Sequence, residues 1–304
     1  MTEKRISISA VIPTKNRHFD LLKAVNSVIN QTILPNTLII VDQSNSNDSQ
    51  KIIEEIFKNS KIHLIYIYDK NVSGLVDAKR VGVNHSNAEI VAFLEDDVIL
   101  EPDFINQIEL GFINWPEMIG CCGIITNPPK QTALYEVLFK IFHRGIFMDK
   151  RVGLYGRFSG RGNKLIPSEM LSGGLSAWRR DVFKSISFDV VNGFHMFEDI
   201  DFSTRVARHF GPLLFINPNA RLEHHCSPVN REVLGPRQRR KLTECIVYYK
   251  KRRGWPWAKF ALTWLLFGML LEALLQSYSA RSFEPIHGYL LGLRDGFAKK
   301  VIPS

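Results

Sequence analysis

Residues 89–100 read EIVAFLEDDVIL. An apolar run, Ile90–Leu94, stops at three adjacent acids, Glu95, Asp96 and Asp97, and apolar residues resume at Val98–Leu100 before Pro102. A short, wholly apolar run bounded by polar residues is what a strand covered on both faces requires, as in a parallel sheet between helices. Ligands of open α/β sheets gather at the carboxyl ends of such strands. Neighbouring carboxylates repel one another, and a hard cation such as Mg²⁺ or Mn²⁺ relieves that repulsion through oxygen ligands, whereas zinc favours nitrogen and sulfur. A solvated acidic turn after a buried strand fits the same residues, so the flanking sequence must decide.

The flanks alternate strand with helix. Ile6–Pro13 forms a first strand, followed by the polar loop Thr14–Arg17. Phe19–Asn30 places Leu21, Leu22, Val25, Val28 and Ile29 on one helical face. Leu38–Val41 is a strand closing on Asp42, and Asp48 caps a helix running to about Asn59. His63–Tyr68 is a third strand, a helix runs from Gly74 to about His85, and the acidic strand follows. Farther on, Phe104–Asn114 reads as helix, Ile119–Ile125 as strand, Asp181–Ser185 as a short helix and Pro212–Ile216 as strand. Glu198, Asp199 and Asp201 open a helix, where the helix dipole favours acids. The pattern predicts an α/β fold with a doubly wound, mostly parallel sheet. No G-x-G-x-x-G follows the first strand, so a diphosphate has to be held by other means, a metal being the obvious one.

Three stretches interrupt the alternation. Arg144–Lys164, rich in glycine and basic residues, reads as a mobile loop, either a lid over an anionic ligand or merely flexible. Met170–Arg180 holds Gly173-Gly174, a turn at which backbone can approach a ligand closely. Glu223-His224-His225-Cys226 offers a histidine to a divalent metal or phosphate, or serves only packing; structural zinc is disfavoured without a second, spaced ligand cluster.

Taken in order, AVIPTKNR (Ala10–Arg17), IIVDQSNSND (Ile39–Asp48), NVSGLVDAKRVGV (Asn71–Val83), FLEDD (Phe93–Asp97), SGG (Ser172–Gly174), FEDIDFSTR (Phe197–Arg205) and the late His pair resemble glycosyltransferase family 2, of the inverting, non-processive type with the GT-A fold. The resemblance covers about residues 6–226. It implies that Pro13, Thr14 and Arg17 line the nucleotide pocket, that Asp42 bonds the base, that Asp77 lies on the ribose or diphosphate side, and that Asp96 touches ribose or sugar. It implies Glu95 and Asp97 as metal ligands, with one of the histidines (His224 is taken) reaching the metal, and Asp199 as general base. Gly173, Gly174 and Glu198 fall on the acceptor side. The chain departs from the pattern in carrying Glu95 for the first acid of D-x-D, Ala78-Lys79-Arg80-Val81-Gly82 for A-R-N-x-G, and Gln43 for a second acid after Asp42. The Q-x-x-R-W element of processive synthases is missing, since Gln238 is followed by Arg239, Arg240, Lys241 and Leu242; addition of a single sugar is therefore expected.

These readings divide the chain into a nucleotide-sugar half at residues 1–100, an acceptor half at 101–235 and a helical extension at 236–304. The extension opens with RQRRK (Arg237–Lys241) and KKRR (Lys250–Arg253), which carry much of the net charge of +9 and point to an anionic surface, lipid or nucleic acid. Trp255–Leu275 is the most apolar stretch, but Lys259 and Glu272 lie within it, and each would cost roughly 2.5–3.5 kcal/mol at the centre of a membrane-spanning helix. A helix lying in the membrane interface, a single span, and a soluble hairpin, either buried or joining two copies, are the alternatives. Gly288, Gly292 and Gly296, at four-residue spacing, permit close helix packing. Cys121, Cys122, Cys226 and Cys245 show no C-x-x-C spacing and are expected to be reduced, and the polar N-terminus does not read as a secretory signal.

The expected function is transfer of one sugar from a nucleotide-diphosphate sugar, UDP- or dTDP-linked, to a glycan or lipid-linked acceptor, with Mg²⁺ or Mn²⁺, at the cytoplasmic face of the membrane. A nucleotidyltransferase would carry a glycine-rich basic loop after the first strand, and PTKNR is not one. A nucleic-acid-binding protein using residues 237–253 would leave both acid clusters without a role, so nucleic acid is not expected as a partner.

Overall fold

The computed structural model describes residues 5–143, 164–229, 232–252 and 257–302. The expected basic loop, except Lys164, lies outside the described residues, as does Trp255. In chain order the elements are β1 (Ile8–Thr14), α1 (His18–Ile29), β2 (Thr37–Asp42), α2 (Asp48–Phe57), β3 (His63–Tyr68), α3 (Gly74–Asn84), β4 (Ile90–Phe93), β5 (Val98–Leu100), α4 (Phe104–Asn114) and β6 (Gly120–Ile125). There follow α5 (Ala133–Phe142), β7 (Ile166–Ser168), β8 (Ser176–Arg179), α6 (Val182–Ser185), α7 (Glu198–Phe210), β9 (Leu214–His224), α8 (Leu234–Lys251), α9 (Ala258–Ala280) and α10 (Glu284–Ala298). Two compact units form: Met1–Pro128 with Gly153–Phe188 and Phe202–Asn230, and Pro129–Val152 with Asp189–Asp201 and Arg231–Ser304.

The first unit holds a nine-stranded sheet in the order β3-β2-β1-β4-β8-β6-β9-β5, with β7 also on β9. The N-terminal strands pair in parallel, with Val11 opposite Ile39 and Phe93. Their side chains are buried on both faces, as continuous apolar runs require. Beyond β4 the sheet turns mixed, because β8 enters antiparallel between β4 and β6. The sheet is thus the mostly parallel α/β sheet expected, with an antiparallel insertion.

The acidic stretch is two strands. β4 stops at Phe93, the acids make a turn, and β5 re-enters the sheet at its far edge, against β9. β9 continues past the Pro212–Ile216 expected, to His224. The strand at Ser176–Arg179 and the helix at Ala133–Phe142 were not foreseen. Four residues are too few for a period of two to show, and no residue of α5 is fully buried.

The second unit is helical. The glycine stripe of α10 lies on α8: a Cβ at Gly292 would stand 2.8 Å from the Arg239 carbonyl oxygen, and one at Gly296 2.8 Å from Ile246 Cδ1. The stripe therefore serves packing within the chain. α5 lies along α9, with Phe142 and Trp264 ring centroids 4.9 Å apart and Trp264 Nε1 donating to the Ile141 carbonyl at 3.0 Å. The basic runs are largely paired inside the unit. Arg239 binds Asp295 at 2.6 Å, Lys241 binds Glu272 at 2.8 Å, and Arg240 binds Glu232. Lys250 donates to the carbonyls of Gly296, Phe297 and Lys299. Four of the eight cations in these runs, Arg239, Arg240, Lys241 and Lys251, are thus offset by carboxylates within the unit. α9 is long and apolar enough to cross a membrane, by length and composition. One of its faces is buried through Ala261, Leu265, Met269 and Ala273, while Phe260, Phe267, Leu274 and Tyr278 are exposed.

Candidate active site

The sheet topology assembles the acid cluster. The Glu95 amide donates to the Gly174 carbonyl at 3.1 Å, and the Asp97 carbonyl accepts from the His225 amide at 2.9 Å. Val98 stands opposite His224 in the β5–β9 ladder, so register alone brings His224 beside the turn. His224 Nε2 lies 3.0 Å from Glu95 Oε2 and 3.1 Å from Asp97 Oδ1. Donor atoms of these three side chains all fall within 4.8 Å of one another. Ligands bound to a small divalent cation at about 2.1 Å and at right angles stand about 3 Å apart, so the spacing fits one. Two carboxylates and an imidazole suit Mn²⁺ well, since carboxylate oxygen favours hard cations and imidazole the softer end of that range.

The electrostatics follow from burial. Burial works to raise the Asp97 carboxyl, but hydrogen bonding to His224, the Ser227 amide at 2.8 Å and the charge of Arg17 outweigh it and hold the group low. His224 is pushed up to about 10, chiefly by hydrogen bonding to Asp97 and then to Glu95. In the absence of a cation a proton on His224 offsets one of the two carboxylate charges, and a metal would displace it. Asp96 is held by Thr14 and by Arg17, whose Nη1 also lies 3.5 Å from Asp97 Oδ2. The Asp96 oxygens accept from Thr14 Oγ1 at 2.7 Å and Arg17 Nη1 at 2.8 Å. Burial pushes it up to about 6, against the opposing pull of Arg17 and Thr14. Arg17 also donates through Nε and Nη2 to the Val229 carbonyl at 3.0 and 2.9 Å, tying the loop after β1 to the chain beyond β9.

Asp42 ends β2 fully buried, its carboxylate accepting from the Ser44 amide at 2.8 Å and the Tyr66 hydroxyl at 2.6 Å. Burial first, then Asp42, pushes the Tyr66 hydroxyl up. Gln43, the replacement for the expected acid, accepts the Gly74 amide at the start of α3 at 2.9 Å. Asp77 sits in the first turn of α3, bound by Arg80 Nε at 2.9 Å and by the Ser73 amide at 3.2 Å. Pro13 is buried on β1, paired with Val41.

The Gly173-Gly174 turn lies behind Glu95. Lys79 is buried, donates to the Gly173 carbonyl at 2.9 Å and has its ammonium 5.4 Å from the Phe93 ring centroid. A Cβ at Gly174 would overlap the Glu95 side chain. Gly174→Ala is therefore expected to push Glu95 out of the cluster and weaken Mn²⁺ affinity about 10- to 100-fold. Titration calorimetry with Mn²⁺ reads this directly, and unchanged affinity would remove Glu95 as a ligand. Glu198 and Asp199 open α7. Glu198 is buried, and Asp199 is half-buried with Oδ1 accepting its neighbour Ile200's amide at 2.8 Å. The structure therefore brings together Thr14, Arg17, Glu95, Asp96, Asp97, Gly173, Gly174 and His224, while Asp42 and Asp77 lie at the ends of β2 and α3 within the same unit. Sequence reading passed over Ser227 and Val229, which act through backbone and leave no residue-type signal. It also passed over Lys79, whose position in the altered A-R-N-x-G segment was visible.

A strand-end acid turn closed by a histidine from the neighbouring strand lies where open α/β sheets bind their ligands. The family model for glycosyl transferase family 2 matches residues 9–187, and the chain belongs to that family. Its fold is GT-A, as its structural neighbours show. A Pyrobaculum calidifontis mannosyltransferase, solved with GDP-Man and Mn²⁺, superposes with a TM-score of 0.63 at 14% identity, over 98% of this chain and 89% of that one. S. aureus TarS 1–349, solved with UDP-GlcNAc, gives 0.60 at 15% identity over 96% and 80%. Among curated sequences, a Campylobacter jejuni GalNAc(5)-diNAcBac-PP-undecaprenol beta-1,3-glucosyltransferase is 28% identical over 90 residues, which is 30% of this chain and 29% of the relative. The chain covers only 14% of a similar Rickettsia bellii glycosyltransferase.

Proposed function

We infer that the protein moves one sugar from a nucleotide-diphosphate donor to a glycan or lipid-linked acceptor, with inversion, using Mn²⁺ or Mg²⁺. The observation that carries this is the convergence of Glu95, Asp97 and His224 at the end of the parallel strands. A divalent ion held there would neutralise the charge that grows on the departing diphosphate. Asp97, kept anionic by its partners, and Glu95 supply the negative ligands; His224 supplies the neutral one. Arg17 and Thr14 fix Asp96 toward ribose or sugar. Asp199 accepts the acceptor hydroxyl proton as the new C–O bond forms, and the electron pair of the broken anomeric C–O bond leaves with the diphosphate. The donors in the neighbours' titles, GDP-Man and UDP-GlcNAc, support a nucleotide sugar; a UDP- or dTDP-sugar is our reading for this chain. The test is a thermal-shift panel of UDP, dTDP and GDP with and without Mn²⁺. Ligand at one hundred times its Kd stabilises by about 2.7 kcal/mol, so at least one nucleotide is expected to raise Tm only when Mn²⁺ is present. A panel with no Mn²⁺-dependent rise would defeat the reading.

The protein works at the cytoplasmic face of the membrane as a peripheral enzyme in this reading, supported by the undecaprenol in the Campylobacter relative's name and by the exposed apolar face of α9. Because most of the α8 cations are paired internally, attachment rests on Phe260, Phe267, Leu274 and Tyr278. Vesicle cosedimentation is expected to survive 0.5 M salt, where the screening length falls to roughly 4 Å, and to drop with Phe260→Glu plus Phe267→Glu. Release by salt alone would return the role to the basic residues.

A further inference from the structure

We propose that Glu244 and Lys251 of α8 are positioning residues for Asp199, holding the chain on both sides of it; this rests on Asp199 being the base. Glu244 is buried, and its Oε2 accepts from the consecutive backbone amides of His195, Met196 and Phe197 at 2.9, 2.6 and 3.1 Å. Those are the residues that lead into Glu198 and Asp199. Two helical turns along the same face of α8, Lys251 Nζ binds Asp201 at 2.7 Å and also Asp189. Lys251 is only 9% exposed, and its two partners 1% and 5%. Tyr248, on the turn between, packs beside Phe197 with ring centroids 5.9 Å apart and the rings tilted by 43°. The residues before Asp199 and the residue two beyond it are thus both tied to one helix.

Fixing a peptide segment with a buried carboxylate and a buried ammonium is a costly way to gain stability, since apolar contacts of equal volume often serve as well. What charge-assisted bonds to several amides add is direction, because each N–H must point at one oxygen. The candidate base, half-buried on the first turn of α7, is then held against displacement. Its reach to an acceptor hydroxyl is sensitive at the level of about 1 Å, which is worth roughly a hundredfold in rate.

The experiment is a double-mutant cycle on transfer by the full chain, with donor and acceptor varied independently and Mn²⁺–nucleotide affinity measured alongside. Glu244→Ala is expected to lower kcat about 30- to 100-fold while nucleotide affinity stays within about threefold, and Glu244→Gln, which keeps an acceptor oxygen, to recover most of the loss. Lys251→Met is expected to lower kcat in the same way, with Lys251→Arg restoring it, which serves if the Glu244→Ala protein does not fold. In the Asp199→Asn background Glu244→Ala is expected to cost almost nothing further, because a residue acting through the base has nothing left to position. Full additivity with Asp199→Asn, or a loss of nucleotide affinity that matches the loss of kcat, overturns the proposal. Transfer by Asp199→Asn within tenfold of wild type overturns instead the reading of Asp199 as base.

Discussion

Asp97→Asn is expected to lower sugar transfer by about 10³-fold and to abolish the Mn²⁺-dependent part of nucleotide stabilisation. The geometry argues for a defect in chemistry and not in folding. The amide oxygen of asparagine still accepts from the Ser227 amide, now 2.8 Å from Asp97 Oδ2, and the Asp97 carbonyl still accepts from His225. What would be lost is one of the two negative ligands proposed for the metal. A metal at a leaving diphosphate supplies several kcal/mol, and about 4 kcal/mol corresponds to roughly three decades of rate. His224, whose raised protonation depends first on Asp97, returns toward its ordinary range in the variant. Parallel measurements of Tm without ligand, Mn²⁺ affinity and initial rate separate the effects. A variant that binds Mn²⁺ as wild type does would remove Asp97 from the metal site, whatever its rate.

The second large effect is expected at Asp199→Asn, with kcat reduced about 10²- to 10⁴-fold, the range that a positioned general base supplies. Asparagine preserves the local turn, since its Oδ1 can accept the Ile200 amide that Asp199 accepts at 2.8 Å. The Glu95–Asp97–His224 cluster lies in the other compact unit and its residues are untouched. Mn²⁺–nucleotide affinity is therefore expected to stay within about threefold, an outcome opposite to that for Asp97→Asn. Retention of transfer within tenfold would assign proton removal to another group, Glu198 being the neighbouring carboxylate.

Much of the sheet and part of the site could be read from residue types. Runs such as Leu38–Val41 and Ile90–Leu94 are apolar without alternation because both faces are covered, and each is a buried strand or its end in the structure. The acids were visible as an interruption of such a run. β8 was not legible: SAWR has no periodicity of its own and is a strand only because β4 and β6 flank it with open ladder positions. α5 escaped for a related reason, since its Leu134, Val137 and Ile141 are exposed and its packing partner lies far along the chain. The basic runs said least about their own partners. Read in isolation, RQRRK and KKRR resemble a free cationic surface, yet the acids that pair with four of their cations, Glu232, Glu272, Asp295 and Asp189, lie 8, 31, 56 and 62 positions away.

The sequence alone determined that Glu95–Asp97 ends a buried parallel strand, because double-sided burial is written in consecutive residue types and needs no knowledge of the rest of the chain. The family order of motifs added roles to those acids, but not their arrangement. Tertiary structure decided which groups meet them. His224 reaches Glu95 and Asp97 because β5 returns to the sheet beside β9 in one register, and a shift of a single residue would turn that side chain to the opposite face. In the same way α8 meets residues 189–201 only through helix docking. Register and docking depend on contacts between residues distant in sequence, and no local pattern encodes them.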